Sequence, residues 1–197
     1  CGGLDKLTED EITPEDPDDG LPVSLDQWIA RDGIRCFKVK LRGNDNDWDV
    51  QRTADIARVI KQTYEKLGIE DRFYLSTDSN EMNPHPESVV EYLERLRELS
   101  PLGYDALLYL EQPTERDLTQ SRFDMSGVSA LKPVVVDEGV TSVEMMDLAI
   151  ELGWSGVGLK TCKGHSSAML YVAKAVEQNL VLTFQDLTNP GYCLIHE

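Results

Sequence analysis

From residue 24 onward the chain alternates two apolar patterns: short runs that are apolar at nearly every position, and longer stretches in which apolar residues recur every three or four. The first pattern predicts strands buried on both faces, the second amphipathic helices. Ser24 is placed to cap a short helix carrying Leu25, Trp28 and Ile29, which Gly33 ends. A strand over 35–41 follows. Beyond Gly43 a long helix is predicted over 48–67, with Val50, Ala54, Ile56, Ala57, Ile60 and Tyr64 near helical spacing and Gly68 as its stop. Further strands are expected at 72–77, 106–110, 133–136, 156–159 and 180–184. Helices are expected at 86–99, 143–152 and 166–178, and a variable connection at 117–131.

Short apolar strands that each lead into an amphipathic helix define a parallel sheet covered by helices. Two architectures compete, a doubly wound open sheet and a (β/α)8 barrel. A nucleotide-binding open sheet usually opens on a glycine-rich turn, and neither G-x-G-x-x-G nor G-x-x-x-x-G-K-[ST] occurs. Lys40, Asp78, Glu111, Asp137 and Lys160 instead fall at or near the carboxyl ends of successive strands, where a barrel gathers one site from many strands. The barrel is the expected fold.

Residues 1–23 break the pattern, being acidic, proline-bearing and without apolar period, and read as a solvated loop or unstructured end. Residues 24–197 then form the barrel region. Because the sequence starts at Cys1 and stops inside what reads as a helix start, it is expected to be part of a longer chain. The 197 residues, 41% hydrophobic, are enough for a sizeable core. A net charge of −17 argues against nucleic acid and anionic membranes as partners. The four cysteines, Cys1, Cys36, Cys162 and Cys193, form no C-x-x-C pair, which points to a reduced, cytoplasmic setting.

The chemistry begins at Phe37-Lys38-Val39-Lys40-Leu41. Lysines at i and i+2 of a strand project from one face, and mutual repulsion with lost solvation is expected to push their pKa values below the usual value of about 10.4. Asp78, Glu111 and Asp137 add three carboxylates, one per strand, at the same mouth. Held together they would repel strongly unless a divalent cation neutralised them, and all-oxygen ligation suits magnesium better than zinc.

Five segments, Phe37-Lys38-Val39-Lys40, Thr77-Asp78-Ser79-Asn80, Leu110-Glu111-Gln112-Pro113, Val136-Asp137-Glu138-Gly139 and Gly158-Leu159-Lys160-Thr161, resemble the ordered strand-end motifs of the enolase superfamily, in its muconate-lactonizing subgroup. The resemblance covers roughly residues 24–190. It implies a modified (β/α)8 barrel, here lacking its last strand and the α+β capping domain of family members. It also implies that Asp78, Glu111 and Asp137 bind Mg2+, with Mn2+ as a substitute. Lys40 and Lys160 would then be the acid/base pair on opposite faces of the substrate, with Lys38 depressing the pKa of Lys40. Lys160 ends its strand whereas Lys163 lies beyond it, which places the catalytic role on Lys160. Family members often carry Gly-Gly after this lysine where this chain has Gly164-His165.

Asn80 and Gln112 are expected to brace the metal carboxylates, and Glu138 either does likewise or forms a surface pair. His85 and His165 read as structural; Gln185, Asp186 and Asn189 read as turn residues or substrate contacts. The implied activity is abstraction of the α-proton of a small-molecule carboxylate by a racemase, epimerase, cycloisomerase or syn-dehydrating synthase. Acid-sugar dehydration and a non-catalytic metal-binding barrel are the alternatives. The isolated chain is expected to be inactive, and the full-length protein to form a homo-oligomer.

Overall fold

A computed structural model describes residues 5–160 and 164–185. Its strands are β1 (Cys36–Lys40), β2 (Tyr74–Asp78), β3 (Leu107–Glu111), β4 (Val134–Val136), β5 (Gly156–Leu159) and β6 (Val181–Phe184). The helices are α1 (Leu25–Asp32), α2 (Asn46–Leu67), α3 (Pro86–Leu99), α4 (Pro101–Ala106), α5 (Ser126–Ser129), α6 (Val143–Glu151) and α7 (His165–Glu177). All six strands are parallel and pair in sequence order, β1-β2-β3-β4-β5-β6. A doubly wound sheet reverses its strand order at a switch point, and this sheet does not.

The sheet also curls. Glu111 ends β3 and Gln185 follows β6, three strands away, which in a flat sheet is roughly 14 Å. Their side chains meet at 2.8 Å. The six strands therefore form part of a barrel wall, an incomplete α/β barrel, with the helices outside.

The core lies between wall and helices. Val39, Leu75, Leu110, Val134, Val136, Val157 and Leu159 meet Ile56, Ile60, Leu93, Leu96, Met146, Ala149 and Tyr171, all buried. The alternate strand positions, Lys38, Lys40, Ser76, Asp78, Tyr109 and Glu111, are left to the concave face. On that face Gly156 has no room for a side chain, since a Cβ there would lie 2.8 Å from Val135 and from the Val181 carbonyl.

Several boundaries differ from the sequence expectation. Helix α2 starts at Asn46 because the Asp45 carboxylate accepts the Trp48 N–H at 3.1 Å and caps it two residues early. Ser100 accepts the Gly103 N–H and opens the short helix α4, in a stretch to which the apolar pattern assigns no element. The segment before α1 is anchored: Leu7 is buried, the Leu25 N–H donates to the Lys6 carbonyl, and Lys6 pairs with Asp16.

Candidate active site

Lys40, Asp78 and Glu111 stand side by side, Lys40 opposite Asp78 in the β1–β2 register and Asp78 opposite Glu111 in the β2–β3 register. Asp137 and Lys160 follow directly on β4 and β5. Each apolar strand thus hands over one charged residue where its pairing ends. Asp78, Glu111 and Asp137 are 2%, 2% and 0% exposed, far below what ionised carboxylates tolerate without partners.

The partners are the lysines. Lys38 Nζ lies 3.0 Å from Asp78 Oδ2 and donates to Glu111 Oε1 at 2.7 Å. Lys40 pairs with the same Asp78 oxygen and donates to Asn80 Oδ1 at 3.0 Å. Lys160 pairs with Asp137. This reverses the expectation for Lys38. Burial lowers its pKa, but Glu111 and Asp78 outweigh burial and raise it above the ordinary lysine value. Both lysines of β1 meet the Asp78 carboxylate of the neighbouring strand, and Lys38 also meets Glu111. Lys160 is raised in the same way: burial pulls it down, and the hydrogen bond and charge of Asp137 outweigh that. Burial pushes Glu111 up against the pull of Lys38, whereas for Asp78 the lysines overcome burial and hold it below the usual carboxylate range.

Neutral groups orient these charges. The Asn80 N–H donates to Asp78 Oδ1 at 2.8 Å from a residue at φ +49°. Gln112, wholly buried, does not brace a carboxylate as expected. Its Oε1 accepts the backbone N–H of Asp137 at 2.9 Å and of Gly139 at 3.1 Å, and its Nε2 donates to the Thr114 carbonyl. It therefore ties the end of β3 to the loop that presents Asp137. Glu138 contributes charge, raising Lys160 and Arg116. His85 caps α3 through Nδ1, which accepts the Ser88 N–H, and His165 opens α7, both structural placements. Thr161, Lys163, Asp186 and Asn189 lie outside the described residues.

The loops around this mouth lock to one another. Glu81 and Asn83 donate backbone N–H groups to the carbonyls of Gln112 and Pro113, both at 3.0 Å. Arg116 clasps the Glu81 carboxylate through Nε and Nη2. Neither member of that pair stood out in the sequence, because nothing local links residues 35 positions apart.

Among the described residues, no three Asp, Glu, His or Cys side chains stand close enough together to hold a metal ion as they are; ammonium groups separate the carboxylates. The donor chemistry still fits magnesium. Three buried carboxylates supply hard oxygens, and every one of them already draws positive charge.

No protein-family model matches the chain, and no curated protein does either. Solved structures do. A mandelate racemase/muconate lactonizing protein from Herpetosiphon aurantiacus superposes with a TM-score of 0.64 at 23% identity, covering 83% of this chain and 43% of that one. The L-Ala-D/L-Glu epimerase from Bacillus subtilis gives 0.65 at 16% identity, covering 83% and 42%. The muconate cycloisomerase from Pseudomonas fluorescens gives 0.59 at 20% identity, covering 77% and 38%. The chain thus spans about two-fifths of the length of these enzymes and shares the fold of their mandelate racemase/muconate lactonizing barrels. No described helix is long and apolar enough to cross a membrane.

Proposed function

We propose that this chain carries the catalytic machinery of a magnesium-dependent enzyme that removes the α-proton of a small carboxylate substrate, as racemases, epimerases, cycloisomerases and syn-dehydrating synthases do. The observation that carries this reading is the placement of Lys40 and Lys160 on either side of the three-carboxylate row. A proton beside a carboxylate is very weakly acidic, so its removal needs a base in contact and positive charge where the ene-diolate develops.

Asp78, Glu111 and Asp137 would hold Mg2+, which supplies charge stabilisation for the substrate carboxylate. Lys40, half exposed beside Asn80, takes the proton from one face of the α-carbon. Lys160 gives or takes it on the other. Lys38, between Asp78 and Glu111, adds a fixed positive charge at the carboxylate end. Three strands lie between β1 and β5 in the sheet, so the two bases enter the mouth from different parts of the wall. The net charge of −17 favours a small substrate held by these local cations over a polyanionic partner.

The test is solvent deuterium exchange of the substrate α-proton in the whole protein. Lys40→Ala should abolish exchange from one enantiomer and Lys160→Ala from the other, each by about 10²–10⁴-fold. Exchange that survives both substitutions would exclude the two-base reading. Loss in Lys163→Ala with Lys160→Ala intact would move the role to Lys163.

A further inference from the structure

Asp78 and Glu111 share an arrangement that extends to the far edge of the sheet. One oxygen of Asp78, Oδ1, accepts the Asn80 N–H at 2.8 Å, leaving Oδ2 to the ammonium groups of Lys38 and Lys40. One oxygen of Glu111, Oε2, accepts Gln185 Nε2–H at 2.8 Å, while the Lys38 ammonium lies 2.7 Å from both Oε1 and Oε2. Each carboxylate has one oxygen held by a neutral amide; in Asp78 the ammonium groups take the other oxygen, and in Glu111 the Lys38 ammonium spans both. The Gln185 amide is itself fixed, since Nε2 also reaches the Oγ1 of buried Thr183 at 3.1 Å, two residues back on the same face of β6.

A cationic donor in the place of Gln185 would compete with a divalent ion for Glu111. A neutral amide leaves the charge of the carboxylate intact and restricts only its rotation. We propose that Gln185 is a positioning residue, which fixes the rotation of Glu111 toward the divalent cation and thereby ties that cation's affinity to the seating of β6. This rests on the cation reading above and goes beyond it, because it makes the sixth strand part of the binding site without supplying a ligand.

The probe is Mn2+, titrated calorimetrically into the whole protein and followed by electron paramagnetic resonance of the bound ion. Gln185→Met removes the donor at nearly equal length, and Gln185→Asn keeps an amide that no longer reaches. Both should weaken Mn2+ by about 10–100-fold and alter the spectrum as Glu111 becomes free to bind through both oxygens. Thr183→Val should give a smaller loss in the same direction. A structural effect alone would lower stability and leave the spectrum of the bound ion unchanged. Affinity within twofold of wild type and an unaltered spectrum in whichever Gln185 variant folds would overturn the proposal. If wild type then still binds Mn2+ and Glu111→Gln does not, the cation reading stands without it; absence of binding to wild type overturns both.

Discussion

Lys160 Nζ hydrogen-bonds the Asp137 carboxylate at the mouth of the barrel, and both are withdrawn from solvent, Asp137 completely. Breaking a buried ion pair from one side leaves an uncompensated charge in a medium that solvates it poorly. In chelator-treated protein, Asp137→Asn should cost about 3–5 kcal/mol of unfolding free energy by denaturant titration. Adding Lys160→Met to that variant should recover part of the loss. A cost below about 1 kcal/mol would show that solvent reaches the pair.

A divalent ion that binds only the folded state stabilises it by mass action. Magnesium at about 100 times its dissociation constant should add about 2.7 kcal/mol to the stability of the whole protein. Glu111→Gln should remove most of this increment. An equal increment in Glu111→Gln would take that residue out of the ligand set.

The strand ends were legible in the sequence because an apolar run that stops on a charged residue is a one-dimensional signal. Lys40, Asp78, Glu111, Asp137 and Lys160 all carry it, and strand order adds nothing that they lack. What was not legible depends on pairing across strands. The i, i+2 lysines suggested mutual repulsion, whereas Glu111 and Asp78, 73 and 40 positions away, decide the direction of the Lys38 shift. Gln112 follows Glu111 and so suggested a brace for a carboxylate; at φ +31° its side chain instead turns to the backbone of the next loop. Gln185 occupied the strand-end position, but only the curl of the sheet shows which residue it meets.

Gly43 sits where the β1–α2 loop crosses the β2–α3 loop. Its φ is +75°, and a Cβ there would lie 2.8 Å from the Asn83 nitrogen and from Met82. Left-handed strain of about 1–2 kcal/mol would add to an overpacking cost of about 1–3 kcal/mol, so Gly43→Ala should lose roughly 2–5 kcal/mol. Thermal unfolding of the variant measures this. A loss under about 1 kcal/mol would mean that the two loops separate readily.

Asp49 supports the same loop from below, 1% exposed, with its carboxylate accepting the N–H groups of Arg42 at 2.7 Å and Gly43 at 2.8 Å. Burial pushes its pKa above the ordinary carboxylate value; the two N–H donors and the charge of Arg42 oppose this, and Asp45 adds to it. A carboxyl whose folded pKa is raised binds its proton more tightly folded than unfolded. Its contribution is therefore fully present below the unfolded pKa of about 3.9 and is lost as pH rises through the higher folded value. Asparagine has the shape of the protonated acid and does not titrate. The Asp49→Asn variant should accordingly match wild type most closely near the unfolded pKa, and wild type should become the less stable of the two toward neutral pH. Denaturant titrations of both proteins across that range provide the comparison. Wild type gaining stability over the variant as pH rises would mean that the two N–H donors outweigh burial and that the carboxylate, not the acid, is the form the fold prefers.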